Sequence, residues 1–546
     1  MERDSGMEPE NNAHVTDEPR VFIFEDGRHA ASLYQFESPI TPADLTYNVD
    51  QLASSGLDTL IYFAGTEGGV VLYDSEVAQT WGDNVVKWTH SVWYRAGRNL
   101  RQLIADGCDP LQLLCERCER KGIWFIAGNW VNFQGADRET DGGLGRKSDF
   151  VFDHPHFQVG EEEDPRAQYV EPRRFSFLYP EVRQERFAVF EELLSRYPTD
   201  GIELDLIDFA PLCRFDEVEQ LDPVLTGWIG DLRRVADRAE SEQGRRKRIY
   251  ARIPAHPDAW NLLGYDVPAW VREGLVDGLI CMSGQMEGAI TQDLDLGAVA
   301  DLVRDTRCRL LVGCSNLLGR QRHHYAPAPM IWAAAANAYS QGADGIGLAN
   351  AHWGPNGWPW RSDEYHTLRL LGHPDMLATA DKIYRARSQS SVGKSSHWMP
   401  GDELHLPQTL VEGEPVRVPL RISDDVARAH ALGRIESICL RVRITAIEPS
   451  LNEVRVKLNE QQLPDSILQL NDLGYRLIGT GAVGPYGCVY EYHLTPAYFP
   501  RPGPNSVEVT LLHHDPDIDI SFDVWDVDCA IRYRLHRNFR REPIDY

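Results

Sequence analysis

Asp200-Gly-Ile-Glu-Leu-Asp-Leu-Ile-Asp208 is the stretch on which the reading of this chain turns. Side chains on an extended strand alternate between faces. Ile202, Leu204 and Leu206 are therefore placed toward covering helices, and Glu203, Asp205 and Ile207 toward the interior. Two carboxylates on one inward face are costly to bury without a purpose. The strand rise puts their Cα atoms about 6.5 Å apart. Like charges that close drive one pKa up, which can leave one ionised carboxylate beside one protonated acid. That is the division of labour glycoside hydrolysis needs. The plain structural alternative pairs Glu203 with a basic group inside the fold, and Arg252 on the next strand is the partner to expect. Asp205 lies nearer the strand's C-terminal end and is read as the more accessible acid. Asp208 is assigned to shaping the loop.

Seven further β-rich runs flank this one: Val21–Glu25, Thr59–Phe63, Ile123–Ala127, Ile249–Ile253, Gly278–Met282, Leu310–Cys314 and Gly345–Ala349. Amphipathic segments lie between them, among them Val92–Asp106, Pro180–Tyr197, Thr226–Glu242, Leu296–Thr306 and Met330–Gln341. Alternating β and α signals mean a parallel sheet with crossover helices. Eight such units predict an α/β fold, a closed (β/α)8 TIM barrel over residues 20–387. An open doubly wound sheet would carry a Gly-rich phosphate loop after its first strand, where this chain has Glu-Asp-Gly-Arg-His. The insertion 129–174 would emerge on the C-terminal face, where barrel active sites lie. Residues 1–19 read as a disordered tail and 388–400 as a polar linker. Short alternating runs after it, such as VRVPLRI and SICLRVRITAI, predict a C-terminal antiparallel β-sandwich domain over 401–546.

In a barrel the ends of the strands carry the chemistry. Asp26, in Phe22-Ile-Phe-Glu-Asp-Gly-Arg-His29, joins Glu203 and Asp205 as a catalytic candidate. Arg252 and His256, in Arg-Ile-Pro-Ala-His, are candidates for holding a carboxylate and binding a hydroxyl. Further polar or aromatic strand ends are Glu67, Asn129, Trp130, Gln285, Glu287, Asn316, Asn350, His352 and Trp353. Aromatic faces with converging polar groups are how sugar sites are built. The run His352–Trp360 holds three Trp in a Gly/Pro-rich loop, suited equally to a saccharide platform and to packing.

The chain has 546 residues and a formal net charge of -27. Such a surface repels phosphates and anionic lipid heads, so neither nucleic acid nor membrane is an expected partner. A carbohydrate is, and a homo-oligomer stays open. No 18-residue apolar run and no signal peptide is seen, which reads as cytoplasmic, or as secreted or periplasmic if a leader was removed. Cys281 and Cys314 read as small core hydrophobes. The pair Cys115/Cys118 lacks the second pair of a zinc site, and His154, His156, His323 and His324 lack the pattern of a catalytic one. No metal or cofactor is expected.

The stretch Pro180–Asp208, PEVRQERFAVFEELLSRYPTDGIELDLID, resembles the bacterial glycosyl-hydrolase-like barrel proteins, whose pattern is a PEVR helix followed by DGI-x-LD on strand four. SDFVFDHPHF, GLDTLIYFAGTEGG, FEDGRH and YDVPAWVREGLVDGLI are similar to other parts of that family or of a less studied branch. The resemblance implies a TIM barrel acting on polysaccharide or glycoside bonds, with Asp205 at the family's strand-four Asp and Glu203 at a variable position. Ile207 and Asp208-Phe209 replace the tyrosine and arginine that often follow that Asp. The chitinase-type DxxDxDxE pattern is similar in texture, but its final Glu is missing. The leading expectation is a glycoside hydrolase using Asp205 and Glu203 as nucleophile or base and acid. The rivals are a barrel lyase or metal-assisted hydrolase using His256, His352 and Asp26, and a non-catalytic carbohydrate-binding protein.

Overall fold

The computed structural model describes residues 16–26, 32–284, 290–318, 325–349, 362–388, 398–472 and 487–534. Eight strands, β1 (Val21–Asp26), β2 (Thr59–Phe63), β3 (Trp124–Trp130), β4 (Gly201–Asp205), β5 (Arg248–Pro254), β6 (Gly278–Met282), β7 (Arg309–Ser315) and β8 (Gly345–Ala349), close into a barrel in chain order. β1 to β5 pair in parallel without a register shift. The expected helices form as Ser91–Ala105, Pro180–Ser195, Val218–Gln243, Gly297–Val303 and Ala328–Ser340. The third of these starts eight residues early and runs through Pro223, which a sequence reading takes as a stop.

Parallel partners share a face, so the register fixes what fills the barrel. One interior layer runs Phe63, Gly128, Glu203, Tyr250, and the layer above it runs Trp130, Asp205, Arg252. Ile202 and Leu204 lie on the opposite face and are fully buried. Gly128 makes the acid layer possible: a Cβ there would stand 2.9 Å from Glu203 Oε2.

The opposite rim shows a repeated device. Asp58, Asp200 and Asp277 each directly precede an even-numbered strand. Asp58 accepts from Val21 N at 3.1 Å, Asp200 from Phe125 N at 2.9 Å and Asp277 from Ile249 N at 2.9 Å. Each aspartate N–H donates in turn to the carbonyl of the same residue, at 3.0, 2.8 and 2.8 Å. The carboxylate so continues the ladder by one rung where the preceding strand has a free N–H. Asp344 stands at the corresponding place before β8.

The chain divides into two compact units, Met1–Cys281 with Leu302–Leu311 and Gly347–Arg361, and Met282–Asp301 with Val312–Ile346 and Ser362–Tyr546. The second unit holds two antiparallel sheets over one apolar core. The larger is built from β9 (Lys382–Arg385), β10 (Gln408–Thr409), β12 (Ile435–Thr445), β15 (Leu468–Asn471), β16 (Gly487–His493) and β18 (Asp523–Tyr533). The smaller holds β11 (Pro415–Ile422), β13 (Glu453–Leu458), β14 (Gln461–Gln462) and β17 (Gly503–His513). Strand β9 precedes the polar linker yet pairs with β18. Gln292, after β6, makes two bonds to the backbone of β9, donating to Ile383 O at 2.9 Å and accepting from Arg385 N at 2.6 Å. Among the described residues no helix is long and apolar enough to cross a membrane.

Candidate functional site

Three adjoining strand ends, β3 to β5, bring together Trp130, Glu203, Asp205, Asp208 and Arg252. Arg252 Nε donates to Glu203 Oε1 at 2.7 Å. Its Nη2 lies 2.7 Å from Asp205 Oδ2, an ion contact poorly angled for a hydrogen bond. The guanidinium also lies over the rings of Phe24 at 4.6 Å and Phe63 at 5.1 Å. All three charged side chains are fully buried. Burial alone would lower Arg252; the charges of Asp205, Glu203 and Asp208 outweigh it and hold the guanidinium above its ordinary value. Burial pushes Glu203 up to about 7, against the pull of Arg252 and with the help of Asp205. Its Oε2 has no hydrogen-bond partner among the described residues, nor has the neighbouring Tyr250 hydroxyl.

Asp205 also ends the strand. Its Oδ1 accepts from Ile207 N at 3.0 Å and from Asp208 N at 3.1 Å, a side-chain turn that competes with the ladder. The alternation therefore stops at Asp205, and Ile207, expected as an inward strand residue, lies beyond β4. The turn carries Asp208 to a partly exposed position. Trp130 Nε1 donates to Asp208 Oδ2 at 2.9 Å. Burial and then the Asp205 charge raise the Asp208 carboxyl well above its ordinary value, with Arg252 opposing. Phe209, next along, has φ 59°, a left-handed backbone that is strained for a bulky residue. The loop is held by Asn132 Nδ2, which donates to Phe209 O at 3.2 Å, and by the Tyr265 hydroxyl, which donates to Leu206 O at 2.9 Å. A proton donor at the rim, backed by a buried carboxylate–guanidinium pair, is an arrangement able to do acid catalysis.

No family model matches this chain, and no curated protein does. Among solved structures it is similar to the PgaB (BpsB) glycoside hydrolase domain from Bordetella bronchiseptica, at 12% identity and TM-score 0.39 over 65% of this chain and 99% of that one. The alpha-L-fucosidase isoenzyme 2 from Paenibacillus thiaminolyticus matches at 13% and 0.39 over 65% and 49%. The noncanonic maltogenic alpha-amylase AmyB from Thermotoga neapolitana matches at 10% and 0.38 over 90% and 99%. Likeness at this level carries no argument about chemistry, and the barrel rests on its own strand order.

Of the residues singled out in the sequence, the structure gathers Glu203, Asp205, Arg252 and Trp130. Asp205, expected to be the more accessible acid, is as buried as Glu203, and the partly exposed acid is Asp208. Asn129 and Trp130 lie inside β3, not after it. Trp130 is 1% exposed and stacks on Phe63 at 4.7 Å, so its ring is a wall of the site and not an open platform. Asn129 is buried, its Oδ1 accepting from Trp130 N at 2.9 Å. Glu67 is buried against the long insertion, 2.5 Å from Arg146 and 3.4 Å from Lys147. His256 caps the helix Pro257–Leu263, its Nδ1 accepting from Asp258 N at 3.2 Å. Asn316, just past β7, is fully buried, with neither end of its amide bonded among the described residues. Asp26 closes β1 in register with Phe63, but its side chain lies outside the described residues, as do Gln285, Glu287, Asn350, His352, Trp353, His323 and His324. Sequence reasoning gave Asp208 a lesser role, although the spacing Asp205-x-x-Asp208 is the signal of a side-chain turn that would lift it to the rim. Asn132 and Tyr265 left no such signal.

Proposed function

We propose that this chain cleaves glycosidic bonds of an oligo- or polysaccharide at the C-terminal mouth of the barrel, with Asp208 as the general acid. One observation carries the reading: Asp208 is partly exposed, is pushed strongly toward its protonated form, and is held by Trp130 beside the buried Asp205–Arg252 pair. A general acid must hold its proton at the working pH, and burial next to another carboxylate achieves that. Asp205 supplies the negative charge that opposes an oxocarbenium-like centre. Glu203 acts through Arg252, as a positioning residue. The test is Asp208→Asn, which keeps the acceptor for Trp130. Turnover of unactivated glycans is expected to fall about 10²- to 10⁴-fold. Aryl glycosides, whose leaving groups need little protonation, should lose much less. Equal turnover by the variant on both substrate classes would remove Asp208 from the reaction.

A second reading, a non-catalytic carbohydrate-binding barrel, is favoured by the complete burial of Glu203 and Asp205 in an ion-paired cage. It predicts glycan binding by the wild-type protein without hydrolysis, and binding unchanged in Asp208→Asn.

A further inference from the structure

The second unit carries a cluster that neither the sequence reading nor the proposed function uses. Cys439 on β12 is paired with His493 on β16, and Glu491 lies two residues before His493 on the same face. That face is opposite the core: the intervening Leu440, Tyr490 and Tyr492 point into the apolar centre. Cys439 and Glu491 are half-buried and His493 is exposed. One ligand atom from each lies within 4.8 Å of the other two. We propose that these three side chains bind a divalent transition-metal ion of the zinc class, leaving a fourth position open to water.

The donor set is the first support. A thiolate, an imidazole and a carboxylate suit zinc and its neighbours, whereas calcium and magnesium take oxygen. Ligand atoms around tetrahedral zinc stand about 3.5 Å apart, given bonds of about 2.0–2.3 Å. The cluster needs only small side-chain rotations to close on an ion. The strands hold it in place, because residues paired directly across an antiparallel ladder keep their spacing.

The surroundings are the second support. His493 Nε2 lies 3.2 Å from Gln469 Oε1 on β15. With Nε2–H donating to that oxygen, the imidazole would keep the Nδ1 lone pair for an ion. Asn471 Nδ2 donates to Glu491 Oε1 at 3.0 Å and orients that carboxylate. Outer partners of this kind accompany metal ligands and fix their geometry. Arg441 on β12, opposite Glu491, directs its Nε to Asp528 at 2.6 Å. Among the described residues, the hydrogen-bond contact of Cys439 Sγ is the weak one to Leu440 O at 3.9 Å.

The experiment titrates the full-length reduced protein with Zn²⁺ against a chromophoric chelator, and with Co²⁺ in the spectrophotometer. One equivalent should bind, and Co²⁺ should show a thiolate charge-transfer band. Cys439→Ser should abolish that band and weaken Zn²⁺ binding by more than the about 10- to 100-fold that an outer partner contributes. His493→Ala lies at an exposed position, cannot unfold the sheet, and should weaken binding as much. Gln469→Ala should weaken it about 10-fold. Cys108→Ser, at a half-exposed thiol elsewhere, is the control and should change nothing. No binding at millimolar Zn²⁺, or binding that survives in both Cys439→Ser and His493→Ala, would overturn the site.

Discussion

Arg252 holds two carboxylates in the barrel interior, and the cost of losing it follows from that. Arg252→Met would leave Glu203 and Asp205 buried without a cation. Removing one partner of a buried ion pair costs about 3–5 kcal/mol, so denaturant unfolding should show a loss in that range. A loss below about 1 kcal/mol, the scale of an exposed pair, would mean that water reaches the cage. Glu203 makes a pH-dependent contribution as well. Its carboxyl is raised in the fold from 4.5 to about 7. The folded state thus binds the proton more tightly than the unfolded chain does. This contribution is complete below pH 4.5 and is lost as pH rises through 7, with a span on the order of 3 kcal/mol. Glu203→Gln cannot ionise, so its melting temperature should fall less than that of the wild type between pH 5 and 7. Parallel curves would place the titration elsewhere. The Glu203–Arg252 pairing was legible in the sequence, since alternation and strand order set the two on adjoining inward positions. The partly exposed Asp208 was not, because strand β4 ends through a side-chain turn that hydrophobic alternation does not record.

At the scale of elements the reading was close: β2, β6 and β8 have the expected bounds, and all eight strands exist. These strands are buried on both faces, so they appear as dense apolar runs between turn residues. The differences fall where polar groups continue a strand. β3 runs on through Gly128, Asn129 and Trp130 because its register with β4 continues to Trp130–Asp205. The rim aspartates belong to this scale also. Asp58, Asp200 and Asp277 each accept a backbone N–H that would otherwise be buried and unpaired. Replacing any one with Ala should cost about 1–3 kcal/mol. The three sites bond to different strands, and the costs of distant sites add, so the double variants should sum to within about 0.5 kcal/mol. Turnover should be unaffected, since this rim is opposite the C-terminal face of the barrel. Non-additive losses would mean the three are coupled through the barrel.

At the scale of the whole molecule, the texture change near residue 388 in the sequence does not coincide with the start of the C-terminal sheets. β9 lies ahead of it, and four residues of β18 pair with that strand. Polar composition marks where a chain is solvated, whereas a sheet is defined by its ladder, and the two need not end together. The rim aspartates carry one more implication. They recur before β2, β4 and β6, and each carboxylate bonds its strand to the one before it: β2 to β1, β4 to β3, β6 to β5. Their carboxylates bond only to the preceding strand, while their backbone carbonyls accept from Trp124, Arg248 and Arg309 at the start of the strand that follows. A protease site inserted at Gly107 or Gly244, left-handed glycines between β2 and β3 and between β4 and β5, leaves every rim carboxylate in one fragment with the strand its side chain bonds. A site inserted between Ser54 and Gly56 separates Asp58 from Val21. Nicked protein of the first kind should keep a higher melting temperature than protein of the second, because only the second cut places the Asp58 carboxylate and Val21 N on separate fragments.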